Sequence, residues 1–264
     1  MELSDKKFAV LIDADNISHR KIKDILDEIA NYGTPTIKRI YGDFTDPKFA
    51  AWKSVLLENS ITPIQQYAYT TGKNATDSAL IIDAMDILHK ESVNGFCIVS
   101  SDSDFTRLAA RLREAGMYVI GMGERKTPMP FITACEKFKY LEVLATGVPD
   151  KENPEAGEEK QPGPDGSMTD IDELIATLRT IITENSDEDG WAFLGEVGNL
   201  INKRYPDFDT RNYGFAKLTP FLSSLKVFEI MSRKTSNPHI NHYFVRIREN
   251  GEGKKPPVKN HAAK

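Results

Sequence analysis

The feature that most constrains this chain is an alternation of apolar runs and helical patterns over its first 145 residues. Strand-like runs occur at Phe8–Ile12, Thr36–Tyr41, Ile61–Tyr67, Phe96–Val99 and Tyr118–Gly121. Helical periodicity fills 17–31, 47–59, 77–90 and 104–115. Gly33 and Gly116 follow two of those helices, where a left-handed cap favours glycine. A run that is apolar throughout is buried on both faces, and parallel strands need crossover helices. The pattern therefore predicts an α/β domain: a parallel sheet flanked by helices, closed by a short helix around Pro130–Phe138.

The pattern stops near Thr146. The following "TGVPDKENPEAGEEKQPGPDGS" has almost nothing to bury, and we read 148–168 as a disordered acidic linker. Such a linker tethers two domains without fixing their orientation. Helical patterns then return at Thr169 to Glu184, in "WAFLGEVGNLINKRY" and in "YGFAKLTPFLSSL". "VFEIMSRK" and "HYFVRIR" read as a two-strand ribbon, so 169–249 reads as a small winged helix-turn-helix domain. The tail 250–264 is basic and predicted to be disordered. Charge follows this division. Residues 1–149 carry 18 Lys/Arg against 20 Asp/Glu, residues 150–199 carry 3 against 14, and residues 200–264 carry 13 against 5. The last quarter is basic enough to meet a polyanion, which the overall net charge of −5 conceals.

Ligands of an open parallel sheet bind beyond the carboxyl ends of its strands. The first run ends in "LIDADN", placing Asp13 at a strand end with Asp15 two residues on. "FCIVSSDSDF" repeats the device with Asp102 and Asp104. In "NATDSALIIDAMDIL", Thr76 is placed to cap a helix and Asp77 falls in its first turn. At about 100° per residue, Leu80, Ile81, Ala84 and Leu88 share Asp77's side and must face the sheet. Asp77 thus points at the cleft, while Asp83 and Asp86 fall off the stripe and read as solvated. Three segments deliver carboxylates to one edge. Clustered like charges raise one another's pKa values unless a cation is present. Hard oxygen donors without His or Cys favour Mg²⁺ or Mn²⁺. An Asp or Ser after a strand also suits a helix N-terminus, so it is the convergence of three segments that points to a metal site.

These motifs carry a resemblance. "LIDADNI", "GKNATDSALIIDAMDIL", "IVSSDSDFTRLAARLREAG" and "VIGMGERKTP" resemble the signature segments of the NYN domain, in its LabA-like branch. The resemblance covers almost all of 7–145, within a domain read as 1–147, and implies a PIN-like/Rossmann-like fold with Mg²⁺- or Mn²⁺-dependent ribonuclease activity. It implies that Asp13, Asp77, Asp102 and Asp104 form the acidic site, with Asn16 positioning water or phosphate. Asp15, Ser101 and Ser103 are neighbours of that site. Gly190 to Leu225 resembles the LOTUS (OST-HTH) domain, a winged-helix module that binds RNA or docks proteins.

Lys73, Arg125 and Lys126 lie in loops expected to flank the acidic edge and to clamp phosphate. Arg211, Tyr213 and Lys217 group basic and aromatic side chains at one helix start, a pattern suited to RNA. His239 and His242 have no acidic or Cys partners at metal spacing and read as ribbon residues. Trp52 and Trp191 read as packing residues, and Cys97 and Cys135 as reduced core thiols of a cytoplasmic protein. No apolar run approaches a membrane span. The expected activity is metal-dependent cleavage of single-stranded RNA. The alternative is a catalytically silent RNA-binding adaptor, with a protein partner through the LOTUS domain or a homodimer left open. A phosphohydrolase using Asp13 as nucleophile fits poorly, because Asn16 stands where such sites carry Thr or Val and no catalytic Lys can be placed.

Overall fold

The computed structural model describes residues 6–67, 74–90, 92–144, 169–234 and 241–248. Six strands form one parallel sheet: β1 (Lys7–Asp13), β2 (Thr34–Gly42), β3 (Thr62–Gln65), β4 (Gly95–Val99), β5 (Tyr118–Gly123) and β6 (Lys137–Tyr140). Their order is β3-β2-β1-β4-β5-β6, all parallel. The chain winds outward from β1 in one direction and returns to β4 to wind in the other. The order therefore reverses between β1 and β4, where such sheets open a crevice.

The alternation of β1 shows why this layering forms. Phe8, Val10 and Ile12 enter one core, with Ile22, Ile25 and Ile29 of helix α1 (Ile22–Ala30) and Trp52 and Leu56 of α2 (Trp52–Glu58). Ala9 and Leu11 enter the opposite core. There they meet Leu80, Ala84 and Ile87 of α3 (Ala75–Lys90), Leu108 and Leu112 of α4 (Thr106–Glu114) and Phe131 of α5 (Met129–Ala134). Successive strand residues point to opposite faces, so one apolar strand supplies both layers. Gly95 permits the close packing: a Cβ there would lie 2.4 Å from the Tyr118 carbonyl oxygen.

Three details depart from expectation. The segment read as one helix to Phe138 instead divides into α5, strand β6 and the short α6 (Leu141–Leu144). In "KFKY", Phe138 and Tyr140 are buried at a sheet edge, and the intervening lysines masked that strand. Helix α3 begins at Ala75, one residue ahead of the expected Thr76 cap. Asp83 is not solvated: its carboxylate accepts hydrogen bonds from Arg39 and the Tyr41 hydroxyl. Asp86 does face solvent, paired with Lys90 at 2.9 Å.

The C-terminal domain packs α7 (Ile171–Glu184), α8 (Leu194–Arg204) and α9 (Leu218–Ser224) with a small antiparallel sheet. Its strands are β7 (Ala192–Phe193), β8 (Phe228–Lys234) and β9 (Asn241–Ile247), in the order β7-β9-β8. Leu174, Leu178, Val197, Ile201, Phe221 and Val245 form its core.

The two domains meet directly, which an orientation-free tether does not predict. The linker 148–168 and the tail 250–264 lie outside the described residues. The junction is built along β6. The Phe138 amide donates to the Pro206 carbonyl at 2.8 Å, and the Tyr140 hydroxyl donates to Asp207 at 3.0 Å. Beside them, Arg211 makes a bidentate pair with Glu28 on α1, both bonds 3.0 Å. Lys139 donates to Asp209 and lies 3.8 Å from Glu28. Burial pushes the Asp209 carboxyl up. The Arg211 hydrogen bonds and the Lys139 charge outweigh that and hold it below the usual carboxylate range.

Candidate active site

Beyond the carboxyl ends of β1 and β4, the turns bring their acids together. Asp102 follows β4 and accepts from the Asp104 amide at 2.9 Å, so it caps the turn that leads into α4. Asp77 sits in the first turn of α3, above the face that buries Leu80 and Ala84. Asp77, Asp102 and Asp104 each offer a carboxylate oxygen, and these oxygens lie within 4.8 Å of one another. Asp77 and Asp102 are half-buried and Asp104 is exposed. The Asn74 amide holds the Asp104 carboxylate by a hydrogen bond.

Asp13 stands behind this trio and is only 1% exposed. Its carboxylate accepts from the Asp15 amide at 3.0 Å, Asn16 Nδ2 at 2.6 Å and the Ser100 hydroxyl at 2.8 Å. Burial raises the Asp13 pKa, and these hydrogen bonds pull against that rise. Ser100 Oγ also accepts from the Asp102 amide at 3.1 Å. Asp13 thus reaches Asp102 through one hydroxyl, across the β1–β4 switch point. The electrostatic consequence falls on Asp77. Burial, then the charges of Asp13, Asp102, Asp104 and Asp15, raise its pKa to about 6.

The other expected residues are placed variously. Asn16 directs its amide at Asp13, and Asp15 turns outward to Lys48 at 3.0 Å. Ser101 is buried, and its hydroxyl accepts from the Glu124 amide at 2.9 Å. Ser103 is exposed on the turn into α4. The Arg125 amide donates to Glu142 at 2.9 Å, and Lys126 pairs with Glu124 at 2.8 Å. Lys73 lies outside the described residues. Lys217 is exposed at the start of α9. Arg211 and Tyr213 are placed otherwise than expected. Arg211 is engaged by Glu28 and Asp209 in the domain junction. Tyr213 packs on Phe221 with ring centroids 5.0 Å apart and donates its hydroxyl to the Thr169 carbonyl. Neither presents a free group for RNA in this arrangement. Three residues that orient the site escaped sequence reasoning: Ser100, Asn74 and Lys48. Ser100 was within reach, since it opens the "SSDSD" run, but nothing local links it to Asp13, 87 residues away.

The fold and the acid cluster together define an α/β domain with a carboxylate-lined edge of the kind that holds divalent cations. The comparison with known families agrees with that class. The NYN domain profile matches residues 7–142, and the OST-HTH/LOTUS domain profile matches residues 169–240. The chain belongs to the NYN domain family, a group with a PIN-like nuclease fold, and it carries a C-terminal LOTUS domain of an RNA-binding type.

Solved structures resemble parts of the chain. A protein of unknown function from Vibrio parahaemolyticus is 19% identical over 52% of this chain and 94% of its own, with a TM-score of 0.44. An uncharacterized protein from Nitrosomonas europaea is 26% identical over 38% of this chain and 96% of its own, with a TM-score of 0.28. A fragment, residues 175–257, of a Chromobacterium violaceum protein is 26% identical over 34% of this chain and 91% of its own, with a TM-score of 0.25. Among curated proteins, none matches the chain. No described helix is long and apolar enough to cross a membrane.

Proposed function

We propose that this protein is a divalent-metal-dependent ribonuclease that cuts single-stranded RNA, with Mg²⁺ or Mn²⁺ as its ion. The observation that carries this reading is the convergence of Asp77, Asp102 and Asp104 within 4.8 Å at one sheet edge of a nuclease-family domain. The donor set fits such an ion: all three groups are carboxylates, and among the described residues neither Cys nor His joins them. When bound, the ion supplies Lewis acidity and neutralises charge on the phosphodiester.

The chain's own residues do the positioning. Asp13 fixes Asn16 and Ser100, and Ser100 fixes the turn that carries Asp102. Asn74 fixes Asp104. Asp77 completes the trio in its ionised form, which prevails above a pH of about 6. The trio lies half-buried to exposed at the sheet edge, where a flexible strand reaches it more easily than a stiff duplex. The NYN domain is slightly acidic, so affinity for a polyanion comes from the basic C-terminal quarter. The two free, buried cysteines fit a reducing compartment such as the cytoplasm.

The test pairs RNA cleavage with metal-induced stabilisation. Mg²⁺ or Mn²⁺ should raise the melting temperature, because the ion binds only the folded site. EDTA should abolish cleavage, and Asp102→Asn should remove both the cleavage and most of the thermal shift. Equal cleavage in EDTA, or an Asp102→Asn variant that keeps the full shift, overturns the reading. Binding of several RNAs without turnover in Mn²⁺ points instead to an RNA-binding adaptor.

A further inference from the structure

We propose that the protein holds single-stranded RNA on a second surface remote from the acidic edge. This surface is a trough running from the exposed rings of the winged ribbon, across α8, into the cleft between the domains. The inference rests on the reading above that the substrate is single-stranded RNA, and it adds where the strand is held.

Two cavities share one wall. The cleft between the domains, about 870 Å³, is lined by Tyr118 and Lys137, the first residues of β5 and β6, and by Asn199 and Asn202 of α8. A second cavity of about 430 Å³ lies under the ribbon, lined by Phe193, His242 and Tyr243 and by the same Asn199 and Asn202. Helix α8 therefore joins them. The strands are parallel, so the amino ends that line the cleft lie opposite the carboxyl ends that carry the acids. Six-residue β5 spans about 20 Å at roughly 3.3 Å per residue.

The cleft is cationic. Arg113, Lys137, Lys203 and Arg204 line it, against one carboxylate, Glu136. Glu136 lies 3.8 Å from Arg113, and Arg204 reaches outward to Glu184 at 3.2 Å. Lys203 is exposed and, among the described residues, makes no ion pair. Lys137 donates to the Asn202 side chain at 3.1 Å.

The ribbon end is aromatic. Phe193 is 41% exposed and Tyr243 40%. The Phe193 ring lies 5.3 Å from His242 and 5.8 Å from Phe244, and Arg233 stacks over Phe244 at 4.8 Å. Glycine inside a helix is destabilising relative to alanine. Yet α8 carries Gly195, where a Cβ would lie 2.7 Å from the Phe193 ring. The glycine lets that ring lie across the helix. Exposed rings beside cations suit bases that stack while phosphates are neutralised. With Arg113 and Arg204 paired, Lys137 and Lys203 still favour a polyanion over an apolar or basic-faced protein, and the exposed rings favour a polyanion that carries bases.

A strand anchored here must pass the domain edge to reach the acids. Long RNAs therefore use both surfaces, and short ones only the acidic edge. The test uses the full chain with labelled oligouridines of 5 and 25 nucleotides. Anisotropy is read across a salt series and cleavage of each oligonucleotide is followed. Tyr243→Ala combined with His242→Ala should weaken binding of the long oligonucleotide about tenfold or more. Lys203→Glu should also weaken it and lower the salt slope by roughly 0.7 to 1. In both variants kcat on the long RNA and cleavage of the short one should be unchanged, with KM raised only for the long one. Photocrosslinking of 4-thiouridine RNA to the wild type should map to Phe193, His242 or Tyr243, and it gives an answer even if a variant fails to fold. Unchanged affinity and slope in both variants, or crosslinks of the long RNA that never fall on the trough, overturn it; the surface then docks a protein or nothing. Weakened binding in the variants of a chain that cleaves no RNA keeps the trough and sinks the nuclease reading. A wild type that binds neither oligonucleotide overturns both.

Discussion

The acidic edge and the domain junction both concentrate charge, and they do so in opposite ways. At the edge, Asp13, Asp77, Asp102 and Asp104 bring like charges together, and burial first, then those charges, raise the Asp77 pKa to about 6. At the junction, Glu28 and Asp209 meet Lys139 and Arg211, and Asp209 falls below the usual carboxylate range. The first arrangement works against folding unless something is bound. The second is complete within the chain. Residues of similar type thus divide into like charges crowded at one edge, where the proposed ion would bind, and paired charges that hold two domains in register.

The largest effects should come from neutralising one member of each cluster. Asp102→Asn should lower the cleavage rate by at least about 100-fold while leaving metal-free stability unchanged or slightly raised, since it relieves repulsion. Lys139→Met should do the reverse. It leaves Asp209 and Glu28 buried with less compensation and should cost about 3–5 kcal/mol, with cleavage of short RNA kept. Urea unfolding of both variants, beside a cleavage assay, reads the contrast. If Lys139→Met were as stable as wild type, the junction would not be the structural half of the comparison.

A smaller effect should appear in pH. The folded-state pKa of Asp77 is raised, so the folded protein binds more protons than the unfolded chain between about 4 and 6. Metal-free stability should therefore rise as pH falls through that window, and saturating Mg²⁺ should flatten the rise. Asp209 has the opposite sign. Its folded pKa is depressed, so its contribution is intact above about 4 and is lost as pH falls further. Thermal melts from pH 8 to pH 3, with and without metal, should show both limbs. Asp77→Asn should shrink the first, to which buried Asp13 and Asp207 add with the same sign, and Asp209→Asn should remove the second.

The smallest effect sets the baseline. Lys126 and Glu124 form an exposed pair at 2.8 Å. Lys126→Ala should change stability by less than about 1 kcal/mol, as exposed pairs do. A larger loss would mean that exposed pairs here carry structural weight, which would blur the contrast with Lys139.

Much of the fold was legible because burial leaves a periodic mark. The run Phe8–Ile12 announced a strand buried on both faces, and Leu80 and Ala84 announced the face of α3 that meets the sheet. Those two facts placed Asp13 and Asp77 at the same edge. Strand β6 was hidden because Lys137 and Lys139 interrupt its apolar pattern. Lys139 is buried only because Asp209 and Glu28 come to meet it.

By itself, then, the amino-acid order determined the parallel α/β layering, the strand ends that carry Asp13, Asp102 and Asp104, and a separate helical module after residue 168. Only the tertiary structure decided the partners of the charged groups. Asp83 turned from solvent to Arg39 and Tyr41. Arg211 turned to Glu28, 183 residues away, fixing the LOTUS domain against the sheet edge. The reason is physical. Apolar burial is set by local spacing along a helix or strand, and so is written in the sequence period. A charge is satisfied by whichever opposite group the finished fold brings within a few ångströms, and no local period encodes that.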